Sequence, residues 1–403
     1  MIVPWLSLVG IGADGPDGLS RAAREAVARA ELVAGGARHL ALLRADGRPR
    51  LTWRSPLGDS VAELLAWRGR RVAVLASGDP LWYGIGRLLL RHVPREELVV
   101  LPHLSAFQLA CSRLGWPLET VTTVSLHGRP LDRLRRHLAP GRLLALTDNG
   151  AAPAATGAIL AEAGFGDSAA WVLEELGGPR ERIVATRASA LRGRYFADLH
   201  VLALDLVGPG CTSVAGLPDR LYQHDGQLTK AEVRAITLAA LAPLPGQLLW
   251  DVGAGAGSIA IEWLRAGRDM RAVAVERDSA RAERIVANAR NLGVPELDVR
   301  VGEAPAALAD LPPPDAIFVG GGIAAPGLLD FCWGKLRDKG RLVANAVTVA
   351  GEAALLAFHA RHGGRLVRLA LSRAETAGGQ MVWRAAAPVT QLATERTCGA
   401  ASS

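Results

Sequence analysis

The stretch that most constrains the fold is 248–258, where an apolar run ends on Asp251 and Val252 and a glycine-rich loop follows. Residues 248–252 have the character of a buried strand, glycines stand at 253, 255 and 257, and 259–263 begin a helical pattern. This order predicts the first strand–loop–helix turn of a parallel α/β sheet, where a helix N-terminus and bare backbone meet a ligand. A loop that lacks Cβ atoms can turn sharply and lie directly against a cofactor.

The spacing of these glycines indicates which cofactor the loop binds. A dinucleotide site has the pattern G-x-G-x-x-G, but Ser258 stands where its third glycine would be, so the loop has G-x-G-x-G instead. That spacing behind Asp251 is typical of S-adenosylmethionine sites in doubly wound methyltransferases. Glu276 ends the next predicted strand, 272–275, where its carboxylate could accept two hydrogen bonds from a ribose diol. A dinucleotide site and a purely structural loop are the alternatives.

Length and composition predict a two-domain globular protein. The chain has 403 residues, half of them hydrophobic and 21% charged, which is too long for one ordinary core and too apolar for a disordered chain. No apolar run approaches the roughly 18 residues of a membrane span, and the first residues lack the pattern of a signal peptide. We therefore expect a cytoplasmic protein. The cysteines are far apart and predict reduced thiols, with neither disulfides nor a metal site: Cys111, Cys211, Cys332 and Cys398.

The charge of the chain is positive and rests almost entirely on arginine. The net charge is +7, and three of the 46 basic residues are lysines. This bias is compatible with a GC-rich genome or with an anionic partner, because arginine binds carboxylates and phosphates through two parallel hydrogen bonds. The basic residues do not form one block, so a nucleic-acid-binding tail is not indicated.

The first half of the sequence alternates predicted strands and helices. Ser20 is a predicted N-cap for a helix over 21–30. The predicted strands are 5–9, 32–34, 71–76, 98–101, 121–124, 143–146, 169–173, a segment near 183–184, and 200–206.

The loops after these strands resemble those of the tetrapyrrole methylases of corrin biosynthesis. The motifs are Val9-Gly10-Ile11-Gly12, Ser77-Gly78-Asp79-Pro80, Leu104-Ser105-Ala106 and Ser125-Leu126-His127-Gly128-Arg129. The resemblance covers residues 1–206 and implies a two-lobed domain with S-adenosylmethionine in the cleft between two α/β lobes. It places these residues around the cofactor: Gly10, Gly12, Gly78, Asp79, Pro80, Ser105, Ala106 and Thr147. Arg129 is a candidate for binding a substrate carboxylate, with an ordinary solvated loop as the alternative.

A segment rich in glycine and proline, 207–223, interrupts the periodicity and predicts a linker between domains 1–206 and 224–403. After it, Thr229 and Glu232 have the spacing of a helix N-cap with a capping box. Seven strands with intervening helices then predict a doubly wound, Rossmann-like domain. The strands are 248–252, 272–276, 297–301, 315–319, 342–347, 366–371 and 381–383.

This second half resembles the decarboxylating corrin methyltransferases. The motifs are Leu228-Thr229-Lys230, the loop 251–258, Val275-Glu276-Arg277, Gly302-Glu303-Ala304-Pro305 and 318–322. The resemblance implies a cofactor site formed by Thr229, Gly253, Ala254, Gly255, Ala256, Gly257, Glu276 and Ala304. From its place at the end of the strand, Asp251 is expected to orient the loop or the methionine amine, and Glu303 and Ala304 to lie where the adenine would rest. Gly320, Gly321 and Gly322 would lie beside the substrate, where three small residues leave room for a broad, flat ring. The general acid is not identified; Glu303 and Thr229 are candidates, with an exposed loop carboxylate and a helix cap as alternatives.

Together, the two resemblances imply a bifunctional enzyme of cobalamin (vitamin B12) biosynthesis. It would use S-adenosylmethionine, at one site per domain, to methylate carbons 5 and 15 of a precorrin, and would remove carbon dioxide from an acetate arm. The expected partners are a corrinoid tetrapyrrole and further copies of the chain, without nucleic acid or membrane. The alternatives are a nucleic-acid methyltransferase, which the absence of an Asn/Asp-Pro-Pro-Tyr motif disfavours, and a non-catalytic protein that binds S-adenosylmethionine.

Overall fold

A computed structural model describes residues 4–396, and the chain divides into two compact units. The first unit runs to Leu131 and continues over Ala139–Gly210, and the second contains Asp132–Leu138 and the chain from Cys211 onward. Most of the predicted linker is therefore counted with the second unit, where Leu217 and Tyr222 are buried in the core.

The first lobe of the first unit is a five-stranded parallel sheet with strand order β3–β2–β4–β1–β5. Its interior strands are almost fully buried, as is usual for parallel sheets that are covered on both faces. Ser20 caps α1 as predicted, since its Oγ accepts a hydrogen bond from Ala23 N at 3.2 Å. The elements are β1 (Leu6–Ile11), α1 (Arg21–Arg29), β2 (Leu32–Gly35), α2 (Ala37–Ala41), β3 (Arg50–Thr52), α3 (Leu57–Leu65), β4 (Val72–Ser77), α4 (Gly86–Leu89) and β5 (Leu98–Leu101).

The second lobe is a mixed five-stranded sheet with strand order β6–β7–β10–β8–β9. β6 and β7 are parallel, and the other pairs are antiparallel. Phe107, Ala110 and Cys111 of α5 pack into the core of this lobe. The two sheets confirm the predicted two-lobed architecture. The elements are α5 (Ala106–Leu114), β6 (Val121–Ser125), β7 (Gly141–Leu146), α6 (Ala152–Glu162), β8 (Ala169–Glu174), β9 (Arg182–Arg187) and β10 (His200–Leu206).

The second unit is a seven-stranded doubly wound sheet, which confirms the predicted fold class. Its order is β13–β12–β11–β14–β15–β19–β16, and β19 is antiparallel to both of its neighbours. The chain winds outward from β11 and then returns to its other side at β14, so a crevice opens at the carboxyl ends of these two strands. The elements are α7 (Ala231–Leu241), β11 (Leu248–Val252), α8 (Ser258–Arg265), β12 (Arg271–Glu276), α9 (Ser279–Asn291), β13 (Asp298–Val301), β14 (Ala316–Val319), α10 (Leu328–Lys335), β15 (Arg341–Ala346), α11 (Val349–His362), β16 (Arg365–Leu369) and β19 (Val389–Glu395).

The prediction that 381–383 forms the seventh strand of this sheet is wrong. These residues lie in β18 (Gln380–Ala385), which pairs with β17 (Ser372–Ala377) in a separate hairpin. Met381 and Trp383 are 68% and 76% exposed there. The seventh strand is β19, whose buried Gln391 donates hydrogen bonds to Asn345 Oδ1 at 2.9 Å and to Thr237 Oγ1 at 3.1 Å. A search for apolar runs passes over β19 because polar residues occupy its interior and find partners on other elements.

The predicted capping box at the start of α7 is also wrong. The helix begins at Ala231, and its N-cap, Lys230, makes no capping bond through its side chain. The Thr229 carbonyl accepts a hydrogen bond from Arg234, and Glu232 pairs with Arg373 of β17. Tertiary partners have therefore replaced the local pairing that the sequence pattern indicated.

Over residues 4–396, no helix is both long and apolar enough to cross a membrane. The same residues contain no cluster of three or more histidine, cysteine, aspartate or glutamate side chains that could hold a metal ion. Cys111, Cys211 and Cys332 are free thiols, and Cys398 lies outside the described residues.

Candidate active site

The glycine loop after β11 brings two backbone segments of the second unit into contact. Gly253 has φ +68°, and a Cβ atom on it would lie 2.7 Å from Gly321 Cα in the loop after β14. Gly257 has φ +75°, and a Cβ atom there would lie 2.6 Å from Ile285 Cγ2 on α9. L-residues with side chains rarely adopt this conformation, so glycine is needed both for the turn and for the close approach.

Glu276, at the carboxyl end of β12, is fixed by backbone donors. It is 4% exposed, its Oε2 accepts a hydrogen bond from Gly255 N at 2.8 Å, and its Oε1 accepts one from Asp278 N at 3.2 Å. Each carboxylate oxygen can accept a further hydrogen bond. Glu276 also lines the crevice, so its oxygens can accept these further hydrogen bonds from the hydroxyl groups of a ligand.

A cavity of about 420 Å³ occupies the crevice at the carboxyl ends of β11 to β14, within the range of small-molecule sites. The structure brings eight predicted site residues into its wall: Gly253, Gly255, Glu276, Glu303, Ala304, Gly320, Gly321 and Gly322. Five others do not line it: Thr229, Asp251, Ala254, Ala256 and Gly257. The wall also contains residues that sequence reasoning missed, among them Gln227, Arg277, Arg281, Ala325 and Leu328. A glycine cradle with a fixed carboxylate beside it fits a ligand with a ribose, as S-adenosylmethionine has.

Asp251 is buried beneath the glycine loop, and the contact it makes is with the protein itself. It is 1% exposed, and its Oδ2 accepts a hydrogen bond from Ala260 N at 3.0 Å, which orients α8 against β11. Its Oδ1 has no hydrogen-bond partner among the described residues. Burial raises the pKa of Asp251 to about 7, and the charge of Glu276 acts in the same direction.

An ion-pair cluster ties the chain just before α7 to α9 and so holds Gln227, two residues after Asp225, at the cavity. Asp225 Oδ2 lies 2.9 Å from Arg281 Nε and 2.7 Å from Arg284 Nη2, both on α9. The hydrogen bond from Arg281 is the main cause that lowers the pKa of Asp225 to about 2. No local motif indicates this cluster, since its acidic and basic members are 56 residues or more apart in sequence.

In the first unit, the loops after β1, β4 and β5 meet at the carboxyl edge of the first sheet. A Cβ atom on Gly10 would lie 1.9 Å from Gly78 O and 2.5 Å from His103 N. Gly78 N donates to Ile11 O at 3.1 Å, and His103 N donates to Gly78 O at 3.2 Å. Gly12 is close to the same group, since a Cβ atom on it would lie 2.9 Å from His103 Cε1.

Other predicted residues of the first unit have structural partners. Asp79 Oδ1 accepts a hydrogen bond from Leu81 N at 2.8 Å and shapes the loop that contains the buried Pro80. Ser105 caps α5, which begins at Ala106, in a capping box with Gln108. These residues set the shape of the edge mainly through backbone geometry.

Two further predicted residues lie at the ends of strands in the second lobe. Thr147 is buried after β7, and its Oγ1 lies 2.7 Å from His200 Nε2. The exposed Arg129 donates from Nη1 to Ser125 O at 2.9 Å, which holds its side chain against the end of β6.

Comparison with known proteins identifies both halves of the chain. The family model of the tetrapyrrole (corrin/porphyrin) methylases matches residues 6–192, and that of the precorrin methyltransferase domain matches residues 220–396. The precorrin-6Y C(5,15)-methyltransferase (decarboxylating) of Sinorhizobium sp. is 48% identical over 398 residues, which are 97% of this chain and 96% of that protein. The chain belongs to this methyltransferase family.

Shorter relatives of the family are named for single activities. The cobalt-precorrin-7 C(5)-methyltransferase of Salmonella typhimurium is 35% identical over 196 residues, which are 47% of this chain and 94% of that protein. The probable cobalt-precorrin-6B C(15)-methyltransferase (decarboxylating) of Pyrobaculum calidifontis is 39% identical over 139 residues, which are 33% of this chain and 71% of that protein.

We expect Glu276→Ala to weaken S-adenosylmethionine binding at the second-unit site by about 10- to 150-fold, because hydrogen bonds to a charged acceptor contribute about 1.5–3 kcal/mol. The measurement is a cofactor titration of the full-length chain. Glu283→Ala, which removes an exposed carboxylate of α9, is the matched control and should not change the affinity. Equal affinities for the wild type and Glu276→Ala would contradict the assignment of Glu276.

Proposed function

We propose that this chain uses S-adenosylmethionine to methylate carbons 5 and 15 of a precorrin and removes carbon dioxide from an acetate arm, in cobalamin biosynthesis. The observation that carries this proposal is the 48% identity that extends over both units to a precorrin-6Y C(5,15)-methyltransferase (decarboxylating). The cavity of the second unit supports it, because a glycine cradle, a fixed carboxylate and a stretch of three glycines line one space.

In the second unit, the residues of the cavity hold and orient the reactants. S-adenosylmethionine supplies an electrophilic methyl group, and an electron-rich bridge carbon of the ring needs little further activation. The residues therefore contribute mainly by positioning, which can supply a large part of a rate enhancement. Glu276 would hold the ribose, and Gly320–Gly322 would admit the flat ring because they have no side chains to exclude it.

Decarboxylation requires an electron sink, which protonation of the conjugated ring would provide with help from a general acid. Glu303 is exposed and lines the cavity, whereas Thr229 lies outside the lining residues. Of the two candidates, Glu303 is therefore the one that we propose as the acid.

We also propose one S-adenosylmethionine site in each unit. Carbons 5 and 15 lie far apart on the ring, so one methyl donor cannot be in line with both in a single pose. Each unit also has its own glycine loop at the carboxyl edge of a parallel sheet. Among the shorter relatives, decarboxylation is named together with carbon 15 and not with carbon 5. We therefore assign carbon 5 to the first unit and carbon 15 with carbon dioxide release to the second.

Selective damage to one unit of the full-length chain tests this division. In Gly253→Val the side chain would collide with the backbone of Gly321, and we expect one methyl transfer without carbon dioxide release. In Gly10→Val it would collide with the backbone atoms Gly78 O and His103 N, and we expect one methyl transfer with carbon dioxide release. The measurements are methyl gain by mass, carbon dioxide release and bound cofactor per chain. Carbon dioxide release by Gly253→Val, or one bound cofactor per wild-type chain, would contradict the division.

The partners follow from the same proposal. We propose that the chain works in the cytoplasm as a homo-oligomer on a corrinoid and does not bind nucleic acid. A ring with several carboxylate arms matches the positive, arginine-based charge of +7. The exposed Met381 and Trp383 of the β17–β18 hairpin offer an apolar surface for a contact between copies.

A further inference from the structure

A hydrogen-bonded cluster of Arg38, His39 and Ser77 lies at the carboxyl edge of the first sheet. α2 follows β2, and Ser77 ends β4 directly before Gly78; these two strands are neighbours in parallel register. Arg38 Nη2 lies 2.9 Å from Ser77 Oγ and 3.0 Å from His39 Nε2, and His39 Nε2 lies 2.8 Å from Ser77 Oγ. The cluster therefore adjoins the Gly10–Gly78 contact, at the edge where parallel sheets bind ligands.

The charge of Arg38 is not neutralised by a contact. Arg38 is exposed, and among residues 4–396 no carboxylate lies within ion-pair distance of it. The charge of Glu175 acts on Arg38, and the Glu175 carboxylate itself lies 2.9 Å from Arg180. One nitrogen of the Arg38 guanidinium contacts uncharged partners, and its other N–H groups have no partner in the described part of the chain. Such a group can donate two parallel hydrogen bonds to a carboxylate.

His39 keeps the cluster singly charged. Burial lowers the pKa of His39 to about 4, and the charge of Arg38 acts in the same direction. At neutral pH the imidazole is therefore uncharged, and the single lone pair of Nε2 can accept a hydrogen bond from Arg38 or from Ser77. His39 and Ser77 thus position the guanidinium without competing for its charge.

Backbone strain around this edge also points to a ligand site. Tyr83, in the loop that follows Gly78, has φ +56°, and Glu175, just after β8, has φ +47°. Residues other than glycine are strained in the left-handed region, and such residues concentrate at functional sites. The 175–178 loop also contacts the loop after β1, since a Cβ atom on Gly178 would lie 2.9 Å from Ala13 Cβ.

We propose that Arg38, positioned by His39 and Ser77, binds a side-chain carboxylate of the tetrapyrrole substrate in the first unit. The inference rests on the proposed function, because it takes the tetrapyrrole with its carboxylate side chains as the ligand of this unit. An exposed arginine with free donors at the ligand edge is complementary to such an arm in both charge and geometry.

The test is Arg38→Gln in the full-length chain, with methylation at carbon 5 and carbon 15 followed separately. We expect KM of the precorrin for carbon 5 methylation to rise about 10- to 150-fold, with kcat changed less than about twofold. Carbon 15 methylation, carbon dioxide release and cofactor binding should not change. Arg91→Gln removes an exposed arginine of the same unit that has no side-chain partner in the described chain, and it should leave all parameters unchanged.

A substrate whose side-chain carboxylates are methyl esters provides a second measurement. Arg38→Gln should leave KM for this ester at the wild-type value, because the partner of Arg38 is then absent. Ser77→Ala, which removes one of the groups that position the guanidinium, should raise KM for the acid by a smaller factor than Arg38→Gln does. An unchanged KM for the acid in Arg38→Gln, or an equal loss for acid and ester, would overturn the inference. Failure of the wild type to methylate carbon 5 would instead contradict the proposed function.

Discussion

Replacing Arg234 with methionine should lower the free energy of unfolding of the second unit by about 3–5 kcal/mol, because it leaves a buried carboxylate without its counter-charge. Arg234 is 0% exposed on α7, and its guanidinium pairs with Glu262 of α8, which is 3% exposed. It also donates to the carbonyls of Leu217 and Thr229.

The expected loss of stability in Arg234→Met also affects the segment that precedes α7. Glu262 accepts hydrogen bonds from Gly216 N at 2.6 Å, Leu217 N at 3.0 Å and the Tyr222 hydroxyl at 2.9 Å. The ion pair thus holds 216–229 against the two helices, and this segment carries Gln227 to the cavity wall. We therefore expect weaker cofactor binding in the second unit together with the lower stability.

Chemical denaturation of the full-length chain measures the effect. Arg361→Met is the matched control, because Arg361 pairs with Asp330 at 2.9 Å on the surface, and such pairs contribute about 0–1 kcal/mol. The double variant Arg234→Met/Glu262→Leu should recover part of the loss, since it removes the unpaired buried charge. If Arg234→Met lowers the free energy of unfolding no more than Arg361→Met does, the buried pair does not stabilise the unit.

Asp251→Asn should abolish a pH-dependent loss of stability. The pKa of Asp251 is raised from 3.8 to about 7 in the folded protein, so the folded state binds the proton more tightly than the unfolded state does. The stability that comes from the protonated form is fully present below about pH 4 and is lost as the pH rises towards 7. A difference of about three units between the folded and unfolded pKa corresponds to about 4 kcal/mol in the free energy of unfolding.

We therefore expect Asp251→Asn to be more stable than the wild type by up to about 4 kcal/mol at pH 8, with little difference near pH 4. The amide oxygen can still accept the hydrogen bond from Ala260 N. The measurement is the free energy of unfolding of both proteins at these two pH values, with Asp310→Asn as an exposed control. A difference between variant and wild type that does not grow with pH would contradict the titration of Asp251 in the folded state.

Much of the fold and part of the candidate site could be predicted from the sequence because their determinants are local. The turn from β11 into α8 is encoded by an apolar run, an aspartate and glycines at alternate positions, and Glu276 follows from its place at the next strand end. The loops of the first unit also carry local motifs, and their resemblance to the tetrapyrrole methylases placed Gly10, Gly12 and Gly78 together.

The tertiary structure decided what depends on partners that are distant in the sequence. β19 is a buried strand because Gln391 meets Asn345 and Thr237, and no apolar periodicity marks it. Arg234 displaces the predicted cap by binding the carbonyl of Thr229, while Arg373 takes Glu232. Gln227, Arg281 and Arg38 were missed for the same reason. A residue pattern specifies the conformation of its own segment, whereas the charge and solvation of a side chain are set by whatever the fold packs against it.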